Sequence, residues 1–544
     1  MKNIFLKITF LIFFFIIFSI LSYEINKYDV YNTPDFTVNV FFSKLLSENH
    51  TLEYCNDLGV KYNVSIFGAR SFAMTKDAGC AAPANMFGYI IIMSILRILS
   101  DNLIFFLNPL LAVFSIVFFY KLSEMFFNEK TAIISSLLFS FSAPFFYFTI
   151  LLFNNVALLT FFLATIYYFF KLLETDDIKY YIIFSFFLSI SIWIRYPEAL
   201  FFTPLILGFL KKDYIKKIYT SAFQIKIFTV LLILLIMLCP LIIFNTKLFG
   251  SPLGWVIKPE MQYNYYIAKL LSPEQGESTK LIPFYGFDIM LNNLNYISKL
   301  NTLVLILFVP SIASLLINKR ERRILFSYNQ FWILLGIILL YALFYLGNTW
   351  TGYYYGFFSI HTSLARYLLP LHAIMILLGS YTLNQISKQI INKKVNIKML
   401  IPIFILVFIV FNLNIVINGE LGLKHLKSQV LKYIERKDKI LSCIPEMDAI
   451  IFTKYSDKYI FPERTTAIYV AFPPEERIEK TTSLAKQLLK DNLTVYFIDE
   501  DWKSDYDLFT TGEYLTNFKK NNMSSTLLND SSIYKVELIE PNIR

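Results

Sequence analysis

The sequence predicts a polytopic α-helical membrane protein of about eleven spans, with a small α/β domain at its C-terminal end. Three observations predict it. The 544 residues are 56% hydrophobic and only 17% charged, with a mean hydropathy of +0.53. Apolar runs of roughly 20 residues, long enough to span about 30 Å of hydrocarbon, recur through residues 1–420. Beyond residue 420 charges become frequent and apolar runs shrink to strand length. The net charge of +10 is carried by Lys and Arg in short loops between apolar runs. It therefore reports topology and excludes nucleic acid as the partner.

The first run, residues 4–21, follows Lys2 and is succeeded by Ser22-Tyr23-Glu24-Ile25, with no small-residue cleavage site. It reads as a retained signal anchor with a cytoplasmic N-terminus. A long polar loop, 23–86, follows. Residues 88–99 are apolar but short, and Asp101-Asn102 ends the run. This suits a helix at or dipping into the outer interface. Full spans are expected at 103–121, 131–150, 156–173, 180–195, 197–210, 227–245, 302–318, 331–348, 365–383 and 399–417. The basic loops holding Lys211, Lys212, Lys216 and Lys217, then Lys319, Arg320, Arg322 and Arg323, then Lys388, Lys393, Lys394 and Lys398, all fall on one side. That side is cytoplasmic by the positive-inside rule. The loops 23–86, 247–300 and 349–363 then lie outside, as does the C-terminal domain, 421–544.

In that domain, 449–453, 467–471 and 494–498 read as buried strands, and 478–489 has helical apolar spacing. Cys55 and Cys80 share the first outer loop, where either a disulfide or two free thiols fits. Cys239 lies within a span and Cys443 stands alone; none has metal-ligand spacing. Sequons at Asn49, Asn63, Asn492, Asn522 and Asn529 all fall on the predicted outer side.

Charged residues at the ends of spans are the candidates for chemistry. Asp35, in Asn32-Thr33-Pro34-Asp35-Phe36, opens an apparent helix through residue 46 in the first outer loop. A carboxylate there suits a general base for an acceptor hydroxyl, its charge favoured by the helix N-terminus. The plain alternative is a helix N-cap. Asp77, in the same loop, is either a second acid or a solvated loop residue. Arg195, in Arg195-Tyr196-Pro197-Glu198, ends a span on the outer side. An arginine in apolar surroundings needs an anion, here a lipid phosphate or Glu198 one turn away. Arg366 sits at another outer edge and either contacts phosphate or snorkels. His361 either touches substrate or is a satisfied interfacial histidine. Trp350, Tyr353, Tyr354 and Tyr355 form an interfacial aromatic cluster, which also suits sugar stacking.

Phe67-Gly68-Ala69-Arg70-Ser71, the run from Pro83 to Tyr89, Phe244-Asn245 through Gly250-Ser251-Pro252, and Ala365-Arg366-Tyr367-Leu368-Leu369-Pro370 follow in this order. Together with Asp35 they resemble the GT-C membrane glycosyltransferases, over roughly residues 1–420. The nearest branch is the protein-mannosyltransferase and lipid A aminoarabinose-transferase group. The resemblance implies an acidic catalytic base in the first outer loop, which Asp35 matches by position. Many members carry a second acid directly after it, where this chain has Phe36. The resemblance further implies a polyprenyl-phosphate sugar donor, an acceptor hydroxyl on a protein, lipid or glycan, and inversion at the anomeric carbon. Arg70, Arg195, Glu198, Tyr355, His361, Arg366 and Tyr367 are the expected substrate contacts. No cofactor is required, although a divalent metal is compatible. The run around Gly250 and Pro252 reads as a structural turn.

No phosphate-binding Gly-rich loop and no HExxH appears, and the cytoplasmic loops are too short to hold a nucleotide-sugar domain. A flippase or transporter would place ionisable residues near mid-membrane and repeat its halves; here charges cluster at span ends and no repeat is apparent. A polymerase or ligase of lipid-linked glycans would share the outer arginines, without needing an acid directly after the first span. Oligosaccharyltransferase catalytic subunits share the fold class and carry a Trp-Trp-Asp motif, which this chain lacks.

Overall fold

A computed structural model describes residues 2–28, 30, 33–62, 67–69, 72–77, 79–83, 87–210, 220–252, 287–326, 329–347, 360–392, 399–454, 456–469, 476–500, 510–528 and 532–539. The first half is helical: α1 (Lys2–Asn26), α2 (Pro34–Asn49), α3 (Asp57–Tyr62), α4 (Phe87–Leu99), α5 (Ile104–Phe126), α6 (Glu129–Ser140), α7 (Ala143–Thr149), α8 (Asn154–Thr175) and α9 (Ile178–Ile194). A 3-10 helix, Tyr196–Leu210, and α10 (Ser221–Phe249) follow. Then come α11 (Phe287–Leu300), α12 (Thr302–Ile317), α13 (Lys319–Leu325), α14 (Gln330–Tyr341), α15 (Ser363–Tyr367), α16 (Leu369–Asn392) and α17 (Leu400–Asn418). One continuous apolar core, dense in Phe and Leu, joins α1, α5 to α9 and α14 to α16.

Among the described residues five helices are long and apolar enough to cross a membrane, and up to eight spans result if each of three bent pairs is one span. Three of the eleven expected spans are not single long α-helices. The run 131–150 breaks into α6 and α7 at an angle of 61°. Pro144 in the first turn of α7 cannot extend the α6 ladder, and Asn412 caps the freed Ala143 amide at 2.8 Å. α9 has only 17 residues. The segment after it is a 3-10 helix of 15 residues. At about 2 Å rise per residue it reaches about 30 Å, where an α-helix of that length covers about 22 Å. The basic residues 211, 212, 216, 217, 393, 394 and 398 lie outside the described residues.

A separate layer is built from the first loop and the C-terminal residues. β1 (Tyr54–Cys55), β3 (Cys80–Pro83) and β2 (Phe72–Met74) form a small antiparallel sheet. A Cys55–Cys80 disulfide joins its first two strands, which settles the open choice in favour of pairing. After α18 (Leu423–Cys443) comes a five-stranded sheet in the order β5-β4-β6-β8-β7. β4 (Ile450–Thr453) pairs in parallel with β5 (Thr465–Ile468) and β6 (Val495–Ile498). β8 (Ile533–Leu538) and β7 (Met523–Leu527) add antiparallel strands. Short α19 (Asp457–Ile460) follows β4, and α20 (Arg477–Lys490) and α21 (Thr511–Lys520) flank the sheet.

The first loop is clamped to this sheet. Phe67 bridges Ala467 on the β5 edge, and the Gly68 amide donates to the Thr466 carbonyl at 3.0 Å. Gly68 has φ +135°, open to glycine alone among common residues. Lys61 pairs with Asp491 at 2.5 Å. On the other side, Phe461 packs among Phe41, Tyr54 and Phe72. α2 is thus held between the membrane helices and the C-terminal sheet.

Candidate active site

Asp35 lies in the first turn of α2, after Pro34. Thr33 occupies the N-cap position, so the Asp35 side chain does not cap its own helix. It reaches instead to Arg366, at 2.7 Å from Nη2, with side chains 20% and 11% exposed. Arg366 belongs to α15, whose N-cap Thr362 accepts from the Ala365 amide. Tyr296 holds the Thr362 hydroxyl at 2.9 Å. Pro370, in the first turn of α16, tolerates its missing amide there and turns the chain just after Arg366.

Arg195 caps the C-terminus of α9 with extended backbone. Its Nη1 lies 3.3 Å from Glu198 Oε1, an ion pair without hydrogen-bond geometry. Glu198 is completely buried and accepts from Tyr341 at 2.7 Å and Tyr345 at 2.6 Å. A π-helical turn, Ala342–Leu346, follows α14 and delivers the second hydroxyl. Such turns recur at functional sites.

Tyr367 joins the two pairs. The Arg195 guanidinium carbon lies 4.3 Å from its ring centroid and that of Arg366 5.0 Å. Arg366 also sits 4.5 Å from the ring of Phe153. These contacts are cation–π in character, and they keep two guanidinium groups close although both are positive. Phe36, where a second acid was anticipated, packs on Phe153 at 4.4 Å between centroids.

His361 is near by. Its Nδ1 lies 3.1 Å from the Tyr147 hydroxyl, which donates to the Leu421 carbonyl at 2.9 Å. A hydroxyl has one proton to give, so His361 Nδ1 is the donor and Nε2 keeps its lone pair. Burial, then the charges of Arg366, Lys458 and His425, push the imidazole down to about 3. Lys458 belongs to α19, and its carbonyl accepts from Thr37 at 3.3 Å, two residues beyond Asp35.

The structure therefore brings Asp35, Arg366, Tyr367, Arg195, Glu198 and His361 into one neighbourhood. Asp77 is exposed in the β2–β3 turn, its carbonyl accepting from Cys80. Arg70 and Tyr355, with Trp350, Tyr353 and Tyr354, lie outside the described residues. The α10 turn is built as the sequence suggests. Gly250 has φ +69° at the C-cap, and Asn245 donates to the Pro252 carbonyl at 3.3 Å. Phe153, Tyr341, Tyr345 and Lys458 were not anticipated. The Tyr341–Tyr345 pair, four residues apart, was the one available signal.

A divalent cation takes several oxygen ligands. Among the described residues Asp35 is the carboxylate paired with Arg366, Phe36 follows it, and Glu198 is already engaged by two tyrosines and Arg195. This donor set does not fit a divalent metal. The sole cluster of ligand type among the described residues is Glu53, Cys55 and Cys80, whose two sulfurs are joined to each other.

Residues 83–244 match the family described as dolichyl-phosphate-mannose-protein mannosyltransferase. No curated protein matches the chain in sequence. Among solved structures, the chain is similar to the Archaeoglobus fulgidus oligosaccharyltransferase. The apo form aligns with a TM-score of 0.52 at 10% identity, over 89% of this chain and 69% of that one. The form tethered to an acceptor peptide containing the NVT sequon aligns with a TM-score of 0.52 at 11% identity, over 90% and 69%. The complex of this archaeal enzyme, AglB, with an inhibitory peptide and a dolichol-phosphate aligns with a TM-score of 0.50 at 12% identity, over 90% and 69%. The chain has a GT-C glycosyltransferase fold. It is an integral membrane protein. The segment matched in sequence holds Arg195 and Glu198, whereas Asp35 and Arg366 lie on either side of it. The GT-C fold closes that gap of over three hundred positions into one ion pair.

Proposed function

We propose that this protein transfers a sugar from a polyprenyl-phosphate donor to an acceptor hydroxyl at the outer membrane face, with inversion. One observation carries the reading: a carboxylate on the outer helix α2 is paired with an arginine that shares a tyrosine ring with a second arginine. The family matched over residues 83–244 is named for a dolichyl-phosphate sugar donor and a protein acceptor. A structure of similar fold holds a dolichol-phosphate and a peptide. Both favour a lipid-linked donor and a protein acceptor over a lipid or glycan acceptor. In this reading the chain crosses the membrane eleven times, with the N-terminus cytoplasmic and residues 421–544 outside.

The charges balance. The acceptor hydroxyl gives its proton to Asp35 as its oxygen attacks the anomeric carbon. The bond from that carbon to the phosphate oxygen breaks, and the phosphodiester of charge −1 leaves as a monoester of charge −2. One negative charge thus moves from Asp35 to phosphate. Arg366, bound to Asp35 beforehand, loses its partner as the leaving group gains charge and turns to stabilise it. Arg195, kept charged and aligned by Glu198, supports the same phosphate. Tyr367 orients both guanidinium groups, and neutral His361 offers Nε2 as an acceptor to substrate. Arg70 and Tyr355 remain assigned to substrate contact, and Asp77 to a supporting acid in the same loop. No step runs through a metal.

Proteoliposomes holding the full chain test this. Given dolichyl-phosphate mannose and a peptide with serine or threonine, they should form glycopeptide. Transfer from a nucleotide sugar, with none from lipid-phosphate sugars of any identity, would overturn the reading.

A further inference from the structure

The turn between α7 and α8, residues 150–153, is irregular backbone, and no residue in it is more than 2% exposed. Away from water every carbonyl there must find a donor. Three asparagines on three helices supply them. Asn26 of α1 donates to the Ile150 carbonyl at 2.8 Å, and Asn39 of α2 to that of Leu152 at 3.1 Å. Asn108 of α5 donates to the carbonyls of Leu151 and, at 2.9 Å, Phe153. The turn is thereby fixed, and with it the direction in which α8 starts.

The donors at that start are not answered in the same way. Phe153 is the N-cap and has no side chain to accept from the first turn. Asn154 and Asn155 are 3% and 1% exposed. Neither Nδ2 has a hydrogen-bond partner, and Oδ1 of Asn155, an acceptor that a hydroxyl beside the phosphoryl group would answer, has none either. A buried amide in that state carries a desolvation cost that a ligand would remove. The helix N-terminus adds partial positive charge. The same end adjoins the ion pair: Arg366 stacks on the Phe153 ring, Phe36 packs against it, and Arg366 Nε is also without a hydrogen bond.

These unanswered donors call for an anion, and the two arginine–carboxylate pairs already cancel each other's formal charge. We propose that the N-terminus of α8, with the side-chain amides of Asn154 and Asn155 and Nε of Arg366, seats a phosphoryl group, that of the lipid donor. This rests on the transferase reading and adds to it the groups that hold the phosphate before any bond breaks. Helix N-termini bind phosphate by this means, and broken helices in membrane proteins aim such ends at anionic groups.

The test uses the full chain in nanodiscs with three probes: dolichyl phosphate, dolichol and inorganic phosphate. Binding is read as thermal stabilisation against ligand concentration. Wild type should be stabilised by dolichyl phosphate, not by dolichol, and only weakly by inorganic phosphate. Asn155→Leu removes an unpartnered amide at nearly constant shape. It should raise the ligand-free Tm and weaken dolichyl phosphate roughly tenfold or more. Asn155→Asp should weaken it further. A higher Tm with unchanged dolichyl-phosphate binding in Asn155→Leu overturns the seat and leaves the transferase reading standing. Stabilisation of wild type by inorganic phosphate alone, lost in Asn155→Leu, overturns the lipid as occupant. Failure of wild type to bind either phosphate removes the seat and the lipid donor together.

Discussion

Arg366 meets Asp35 at 2.7 Å with both side chains in partial contact with solvent, whereas Arg195 meets Glu198 at 3.3 Å around a carboxylate that solvent does not reach. The two pairs share the Tyr367 ring, so their surroundings separate them. Glu198 accepts from two tyrosine hydroxyls as well as facing Arg195. Protonating it would leave the Arg195 charge without its counter-ion in an apolar interior. Asp35 sits in the first turn of α2 with its side chain 20% exposed, and among the described residues Arg366 is its side-chain partner. In the proposed reaction one arginine–carboxylate pair thus takes up a proton and the other holds its charge still.

Among changes to the arginines, the largest way to break this contrast is Arg366→Ala. Loss of the group that follows the charge should lower the transfer rate by roughly 10²–10³, measured with saturating donor. A rate within a few-fold of wild type would remove Arg366 from the reaction. Glu198→Gln should act the other way round. Breaking a buried pair costs about 3–5 kcal/mol, so its Tm should fall well below wild type, with Asp35→Asn close to wild type. Equal Tm losses in the two variants would erase the distinction.

A smaller effect belongs to the Cys55–Cys80 disulfide. It closes the loop that carries Phe67 to the C-terminal sheet. Replacing both cysteines with serine should cost about 2–4 kcal/mol and loosen α2 without touching Arg195 or Glu198, read by hydrogen exchange in the two regions. The smallest effect concerns pH. His361 is held neutral, pushed down to about 3 from 6.5. The unfolded chain then binds the extra proton between those values. Stability should therefore be constant above about pH 7 and decline as pH falls below about 6.5, by about 1.4 kcal/mol per unit at most. His361→Phe should make that decline shallower. An unchanged slope in the variant would assign the decline elsewhere.

The charged half of this contrast was legible in the sequence. Asp35, Arg195, Glu198 and Arg366 stand at the ends of apolar runs, where an ion is costly enough to signal a partner. What surrounds them was not. Phe153, Tyr341 and Tyr345 look like any aromatic residue in a chain that is 18% aromatic. Asn154 and Asn155 fall between the apolar runs 131–150 and 156–173, where an uncharged polar residue reads as ordinary loop. The same limit applied to the fold. A periodic pattern announces a span but not its break at Ser142, nor a 3-10 helix from Tyr196. In the C-terminal sheet, hydrogen bonding places β5 at Thr465–Ile468, opposite Ile450–Thr453; apolarity alone put it two residues later. β7 and β8 were missed because Met523–Leu527 and Ile533–Leu538 are polar on alternate or outer positions and short.

Whether Asp35 takes the acceptor's proton is tested most directly by one comparison. Asp35→Asn and wild type, folded equally well in the same membranes, are given a polyprenyl-phosphate sugar and acceptor, and donor binding and transfer are measured side by side. The variant should still bind the donor while transfer falls by about 10²–10⁴. Wild-type transfer in the variant would contradict it.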